Sequence, residues 1–227
     1  MTKLLYQGKT KDVFENADGT YTLMLKDDAT GKDGIFDPGE NAVGLSIAGL
    51  GRASLKLSRY YFDKITAAGI SNHYLNSDLA NATMTVLPAT MFGGGLEFIC
   101  RRKAAGSFLK RYGAYAASGM DLDYFVETTL KDDGRQDPQI TKEALVLLGI
   151  MTSEAYDICA ELTKKIAKLI ADDLEEKGLD LYDIKLEFGK NNGEIMLIDE
   201  VSSGCMRVYR GDTLVPPMEL GRFVLVE

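Results

Sequence analysis

Histidine, cysteine and tryptophan are nearly missing: the 227 residues hold one His, three Cys and no Trp. A structural zinc site needs about four Cys or His ligands. Only His73, Cys100, Cys159 and Cys205 exist, with no paired spacing among them. A His-based nucleophilic triad would have to run through His73 alone, and the scattered thiols argue against a disulfide scaffold. A basic field is also lacking. With 26 Lys and Arg against 34 Asp and Glu, the formal net charge is −8, which excludes a general nucleic-acid binder. Long apolar runs are absent as well. The longest, around Ala144 to Met151, is far short of a membrane span, and the N-terminus has no run fit for a signal peptide. A reduced cytoplasmic setting follows as the expectation, with the Cys as small core residues.

The composition that remains, 45% hydrophobic and 26% charged, suits one large domain or two small lobes with a core of their own. Residues 3–26 read as a β-meander, with a turn at Gly8 and a strong turn signal at Asn16-Ala17-Asp18-Gly19. Residues 27–40, with three Gly and one Pro, read as a functional or mobile loop. A helix is predicted over 52–68 and ends at Gly69. Strands follow at 83–87 and 96–102, then short helices near 104–112 and 141–148. The clearest helix spans 153–177, where Ala155, Ile158, Cys159, Leu162, Ile166, Leu169, Ile170 and Leu174 keep the 3.6-residue period. Thr152 or Ser153 caps it and Gly178 ends it. A hairpin closes the pattern, 181–188 with 194–201. The reading is two lobes dividing near residue 85.

Four constellations can carry chemistry. In Gly8-Lys9-Thr10-Lys11 a Gly lets backbone amides approach an anion, and two Lys two apart on a strand share a face, which suits a polyphosphate. The same residues also make an ordinary surface turn with two solvated Lys. Arg101-Arg102-Lys103-Ala104-Ala105-Gly106-Ser107, followed by Lys110-Arg111, is the densest positive charge in the chain. A guanidinium fork beside a helix start binds phosphate or carboxylate, and the small residues leave room for a ligand; a solvated charge run is the alternative. In the hairpin, Tyr182, Ile184, Leu186 and Phe188 alternate with Asp183, Lys185 and Glu187. A five-residue loop puts Glu187 opposite Ile195. A three-residue loop puts it opposite Asp199, about 5 Å away between Cβ atoms, where a Mg²⁺ would relieve the repulsion; otherwise both are exposed strand positions. The fourth, Ser202-Ser203-Gly204-Cys205-Met206-Arg207, is a plausible anion loop in which Cys205 reads as a buried thiol. His73 reads as structural or at a rim.

Taken in order, these segments resemble the SAICAR synthetase family along essentially the whole chain. The likeness is carried by YQGKTKDVF at 6–14, KDDATGKDG at 26–34, AAGI at 67–70, RRKAAGSFLKRYG at 101–113, LKDDGRQDPQIT at 130–141, YDIKLEFG at 182–189 and IDEVSSGCMR at 198–207. The resemblance implies an α+β, two-lobed fold, with an antiparallel-rich N-terminal lobe (1–85), a larger mixed α/β C-terminal lobe (86–227) and ATP in the cleft. It implies ligation of L-aspartate to the carboxylate of CAIR, a phosphoribosyl-imidazole, consuming ATP with Mg²⁺. Carried over by position, Gly8, Lys9, Lys11 and Lys131 fall at the nucleotide. Glu187 and Asp199 hold the magnesium–nucleotide. Arg101, Ser107 and Arg207 hold CAIR groups. Asp28, Asp33 and Lys185 fall near the reacting groups. A homodimer is the family's expectation, with neither nucleic acid nor membrane as a partner.

This chain departs from the family in places. Many members read Ser-Pro-Asp where Ser202-Ser203-Gly204 stands, and Leu-Trp-Asp where Val208-Tyr209-Arg210 stands; Asp212 is an acid that could partly compensate. The stop at Glu227 implies a missing or shortened C-terminal helix and an altered oligomer interface. An ATP-dependent small-molecule kinase is the competing reading, and a non-catalytic nucleotide sensor a third. Gly31–Gly39 and Gly93–Gly95 are the lid candidates.

Overall fold

The structure of the chain is a computed structural model in which residues 3–225 are described; Glu227, on which the reading of a shortened C-terminus rests, lies outside them. In chain order the elements are β1 (Lys3–Gln7), β2 (Lys11–Glu15), β3 (Tyr21–Leu25), β4 (Asp28–Lys32), β5 (Ile35–Phe36), β6 (Val43–Ser46), α1 (Leu50–Ala67), β7 (Tyr74–Asp78), β8 (Thr83–Val86) and β9 (Thr90–Met91). Then come β10 (Leu96–Lys103), α2 (Gly106–Tyr112), β11 (Asp121–Leu130), α3 (Lys142–Leu147), α4 (Ser153–Glu175), β12 (Asp180–Asn191), β13 (Glu194–Ile198), β14 (Met206–Arg210), β15 (Thr213–Leu214) and α5 (Pro217–Val224).

The chain forms two compact units. The division expected near residue 85 is a single cut, whereas the chain passes from unit 1 to unit 2 at Thr90/Met91 and later returns twice, over Lys190–Cys205 and from Pro216 onward. The returns have physical causes. Leu197 of β13 exchanges backbone hydrogen bonds with Ser71 and His73, and α5 packs on α1.

In unit 1 the meander is present and extends to a five-stranded antiparallel sheet, β1-β2-β3-β8-β7. The Asp18 carboxylate accepts from the Thr20 amide and hydroxyl, closing the β2–β3 turn. The segment 27–40, expected as a loop, instead carries β4 and β5, which with β6 form a small sheet of order β5-β4-β6. Asp33 and Gly34, at φ 52° and 78°, make the two-residue turn whose twist matches flanking strands. Helix α1 starts two residues before the expected Arg52. Its first amides are satisfied from a distance: the Asp27 carboxylate accepts from Gly49 N (2.9 Å) and Gly51 N (3.0 Å). Those two bonds hold the Asp27 carboxyl below the ordinary carboxylate range. The helix buries Leu55, Leu57, Tyr61, Phe62 and Ile65.

In unit 2 the strands run β11-β10-β12-β14-β15, all antiparallel. Side chains alternate between the faces of a strand, and here the alternation divides the chemistry. One face carries Phe98, Cys100, Ile184, Leu186 and Phe188, all buried; Phe98 meets Phe188 edge-on and tilts against Tyr156 of α4. Helix α4 covers that face with Ala155, Cys159, Ile166, Ile170 and Leu174, and Thr152 caps it by accepting from Ala155 N. The other face carries Glu97, Arg101, Glu127, Thr129, Asp183, Lys185 and Glu187. Strand β11 escaped the sequence reading because its buried residues include Glu127, Thr128 and Thr129, which mask the apolar alternation.

The β12–β13 connection is the two-residue turn Asn192-Gly193, with φ 49° and 87°. Neither the three-residue nor the five-residue loop forms, so neither register derived from them applies. An Asn-Gly pair takes up positive φ at both positions with little strain, which selects the shorter turn.

Candidate active site

Sheet register builds the charged face of unit 2. Arg101 lies opposite Asp183, and Asp183 opposite Arg207, so one row crosses β10, β12 and β14. Asp183 Oδ2 accepts from Arg101 Nη1 at 2.8 Å and from Arg207 Nη1 at 2.7 Å. The Arg101 guanidinium, 1% exposed, also donates through Nε (2.9 Å) and Nη2 (2.6 Å) to Glu127 Oε1, and through Nη2 to Ser107 Oγ (2.9 Å). Glu127 in turn accepts from Arg111 Nη2 and from Gln139 Nε2. Arg101, Ser107 and Arg207, assigned together from sequence, thus share one network. Glu127 and Asp183 are the members that sequence reasoning missed. Asp183 could have been found from its alternation with Lys185 and Glu187; Glu127 lay on the unrecognised strand.

Gly106 explains the small residues of this segment. Its φ is +53°, and a Cβ there would lie 2.5 Å from Arg207 Cζ. Any side chain would displace the guanidinium.

Four residues back along β10 on the same face, Glu97 stands opposite both Glu187 and Thr129. Each carboxylate holds a lysine. Lys131 Nζ lies 2.7 and 2.9 Å from the Glu187 oxygens, and Lys185 Nζ lies 2.8 Å from Glu97 Oε1, whose other oxygen accepts from Thr129. Interleaving the signs lets two carboxylates pair across neighbouring strands without mutual repulsion. Glu97 is the residue missed here. Asp137, in the same motif as Lys131, has its carboxyl pushed up by burial although it accepts from Asp132 N.

Unit 1 carries a second cluster. Gly8 N donates to Lys11 O at 2.9 Å, and a Cβ on Gly8 would fall 2.6 Å from that oxygen, so this close turn requires Gly. Lys26 Nζ holds the turn by donating to Gly8 O (2.8 Å) and pairing with Asp12 Oδ1 at 2.6 Å, an ion pair without hydrogen-bond alignment. The two lysines expected to act side by side have different partners: Lys9 Nζ donates to Asn41 O, while Lys11 Nζ pairs with Asp199 and Glu200. Glu200, missed from sequence, is held by Ser202 Oγ at 2.6 Å. Asp28 is half-buried in β4, and Asp33 is exposed at the β4–β5 tip. His73 is 4% exposed and its Nε2 lies 2.8 Å from Asp199 O. Burial, against the pull of Asp199, pushes its imidazole down to about 4, so the ring is neutral. Glu187 and Asp199 fall in different units, each with a lysine of its own unit. Among the described residues no three His, Cys, Asp or Glu side chains converge as a metal cage. None of the three Cys forms a disulfide and all are buried; burial pushes the Cys100 thiol up to about 12, and Cys205 Sγ donates to Ser202 O within its own turn.

Comparison with known proteins completes the description. A family model for SAICAR synthetase matches residues 4–219. A phosphoribosylaminoimidazole-succinocarboxamide synthase of Clostridium tetani is 51% identical over 224 residues, 98% of this chain and 99% of that protein. Among solved structures, a SAICAR synthetase superimposes with TM-score 0.80 at 32% identity, covering 92% of this chain and 87% of that one. A type-2 SAICAR synthetase in complex with ADP gives TM-score 0.81 at 29% identity, over 98% and 91%. The antiparallel α+β fold and the motif-borne charged clusters thus fall within a class of ligases. The chain belongs to the SAICAR synthetase family.

Proposed function

We propose that this chain joins the amine of L-aspartate to the carboxylate of CAIR, giving SAICAR, ADP and phosphate in purine biosynthesis. The observation that carries the reading is that both charged clusters lie on motifs within a match spanning 98% of the chain at 51% identity to a synthase. The chemistry agrees with the residues. A free carboxylate is a poor acyl donor, because its negative charge repels a nucleophile and an oxide ion is no leaving group. Its oxygen attacks the γ-phosphorus of ATP and ADP leaves; the aspartate amine then attacks the carbonyl carbon, phosphate leaves, and the amine loses its proton. Every reactant is anionic, so catalysis reduces to positioning and charge neutralisation. No step needs histidine or a thiol.

In this reading Arg207 and Ser107, oriented by Arg101, take the phosphoribosyl or carboxylate groups of CAIR. Gly8, Lys9, Lys11 and Lys131 serve the ATP phosphates. Lys185, Asp28 and Asp33 stand near the reacting groups. Asp199 and Glu187 are hard oxygen donors whose charge is met by lysine ammonium groups. Either carboxylate by itself suits Mg²⁺, which binds through one or two carboxylates and the substrate phosphates rather than a full protein cage. When bound, the metal neutralises charge on the transferring phosphate. Buried thiols outside any disulfide suit a cytoplasmic setting, and no helix among the described residues is long and apolar enough to cross a membrane. A homodimer belongs to the same proposal.

The test omits substrates one at a time. ADP release over many turnovers should require ATP, Mg²⁺, CAIR and aspartate together. Equal ADP release without aspartate would return the chain to a kinase. Nucleotide binding with no ADP release under any combination would make it a sensor.

A further inference from the structure

The sole histidine of the chain touches the backbone carbonyl of Asp199, one of the candidate metal ligands. Its backbone is fixed: His73 N donates to Leu197 O (3.0 Å), and His73 O accepts from Leu87 N (2.8 Å). Its ring tilts against Phe62, which is itself fully buried and stacked on Tyr74. The ring nitrogen Nε2 reaches Asp199 O at 2.8 Å. A carbonyl oxygen can only accept, so the hydrogen sits on Nε2. Asp199 has φ +68°, a left-handed conformation that is uncommon for a non-glycine residue, though Asp takes it more readily than most. The neighbours are held too: Val201 N donates to Ser58 Oγ of α1, and Ser202 Oγ donates to Glu200. Both carboxylates then meet Lys11.

We propose that His73 is a positioning residue: its Nε2–H grips the Asp199 carbonyl, fixes the left-handed turn after β13, and so aims the Asp199 carboxylate. The role rests on reading Asp199 as a magnesium–nucleotide ligand. A partner that orients a ligating group is worth about 10–100-fold in affinity or activity.

The first measurement is the nitrogen-15 spectrum of the imidazole in the intact protein, which has a single histidine to assign. A hydrogen on Nε2 is expected; one on Nδ1 overturns the proposal, and decides the matter even where a variant fails to fold. The second is equilibrium binding of Mg²⁺·ADP by calorimetry. His73→Phe keeps an aromatic ring and removes the donor, so affinity should fall about tenfold. His73→Gln places an amide N–H near the Nε2 position and should bind within about threefold of the parent. The double variant His73→Phe/Asp199→Asn should bind no more weakly than Asp199→Asn alone, because both act through one carboxylate. Additive losses, or unchanged binding by folded His73→Phe while Asp199→Asn is weakened, overturn the His73 role alone. Unchanged binding by Asp199→Asn overturns the carboxylate reading and this role with it.

Discussion

Unit 1 and unit 2 each set cations against carboxylates, but by different means. In unit 2 the most deeply buried pairs are arginine with carboxylate on neighbouring strands, and sheet register fixes them; Arg101 and Glu127 have side chains 1% and 2% exposed, while the lysines of Lys131–Glu187 and Lys185–Glu97 are more exposed. In unit 1 they are lysine with carboxylates just past a strand end, at 15% for Lys11 and 23% for Asp199, and a turn held by His73 and Ser58 fixes them. Arginine's fork can satisfy several partners at once and remains charged when buried; lysine is a single point charge that a ligand can easily displace. Damage in unit 2 should therefore appear as stranded buried charge, and damage in unit 1 as a change of turn geometry.

The largest effect expected is from Arg101→Ala. It leaves buried Glu127 with only Arg111 and buried Asp183 with only Arg207 as cations, so stability in urea should fall by up to about 3–5 kcal/mol and activity should be lost. A loss as small as that of a surface pair would break the contrast. In unit 1, pH is the probe. The unfolded imidazole of His73 takes a proton near its ordinary 6.5, whereas the folded one, pushed down by burial beside Asp199 and Lys11, does so only at about 4. Between those values the unfolded chain binds more protons. Stability of the metal-free protein should therefore fall by about 3 kcal/mol from this group as pH drops from 6.5 to 4. His73→Gln should flatten that part of the profile.

Gly106→Ala should cost only about 1–2 kcal/mol of stability, yet it displaces Arg207 and should lower kcat/KM for CAIR about 100-fold. A normal KM for CAIR would detach Arg207 from substrate binding. The smallest effect is expected of Asp157→Asn, which removes the surface pair with Lys142 and should change urea stability by about 0.5 kcal/mol or less. It calibrates how much burial adds to the Arg101 network.

The same contrast shows what could be read from the chain itself. Helix α4 was legible because its stripe keeps a 3.6-residue period, and β12 because Tyr182, Ile184, Leu186 and Phe188 alternate with charges. That alternation turned out to separate the α4-covered face from the charged one. Strand β11 was illegible because burial of Glu127 depends on arginines and a glutamine distant in sequence. The start of α1 was missed for a similar reason: its amides are capped by Asp27, more than twenty residues earlier. The hairpin register depended on whether the turn held two, three or five residues, and only the Asn192-Gly193 backbone decides that. At the site, the basic members were visible as motifs. The acids that organise them were not: Asp183 showed only as part of the β12 alternation, and Glu97, Glu127 and Glu200 carry no local signal in an acidic chain until their partners are known.

The most direct test of ligation through an activated carboxylate follows one oxygen atom. CAIR labelled with oxygen-18 in its carboxylate is turned over with ATP, Mg²⁺ and aspartate, and the released phosphate is weighed by mass spectrometry. Attack by the carboxylate on the γ-phosphorus predicts one labelled oxygen in each phosphate and one retained in SAICAR. Unlabelled phosphate, with the product amide still formed, would contradict it.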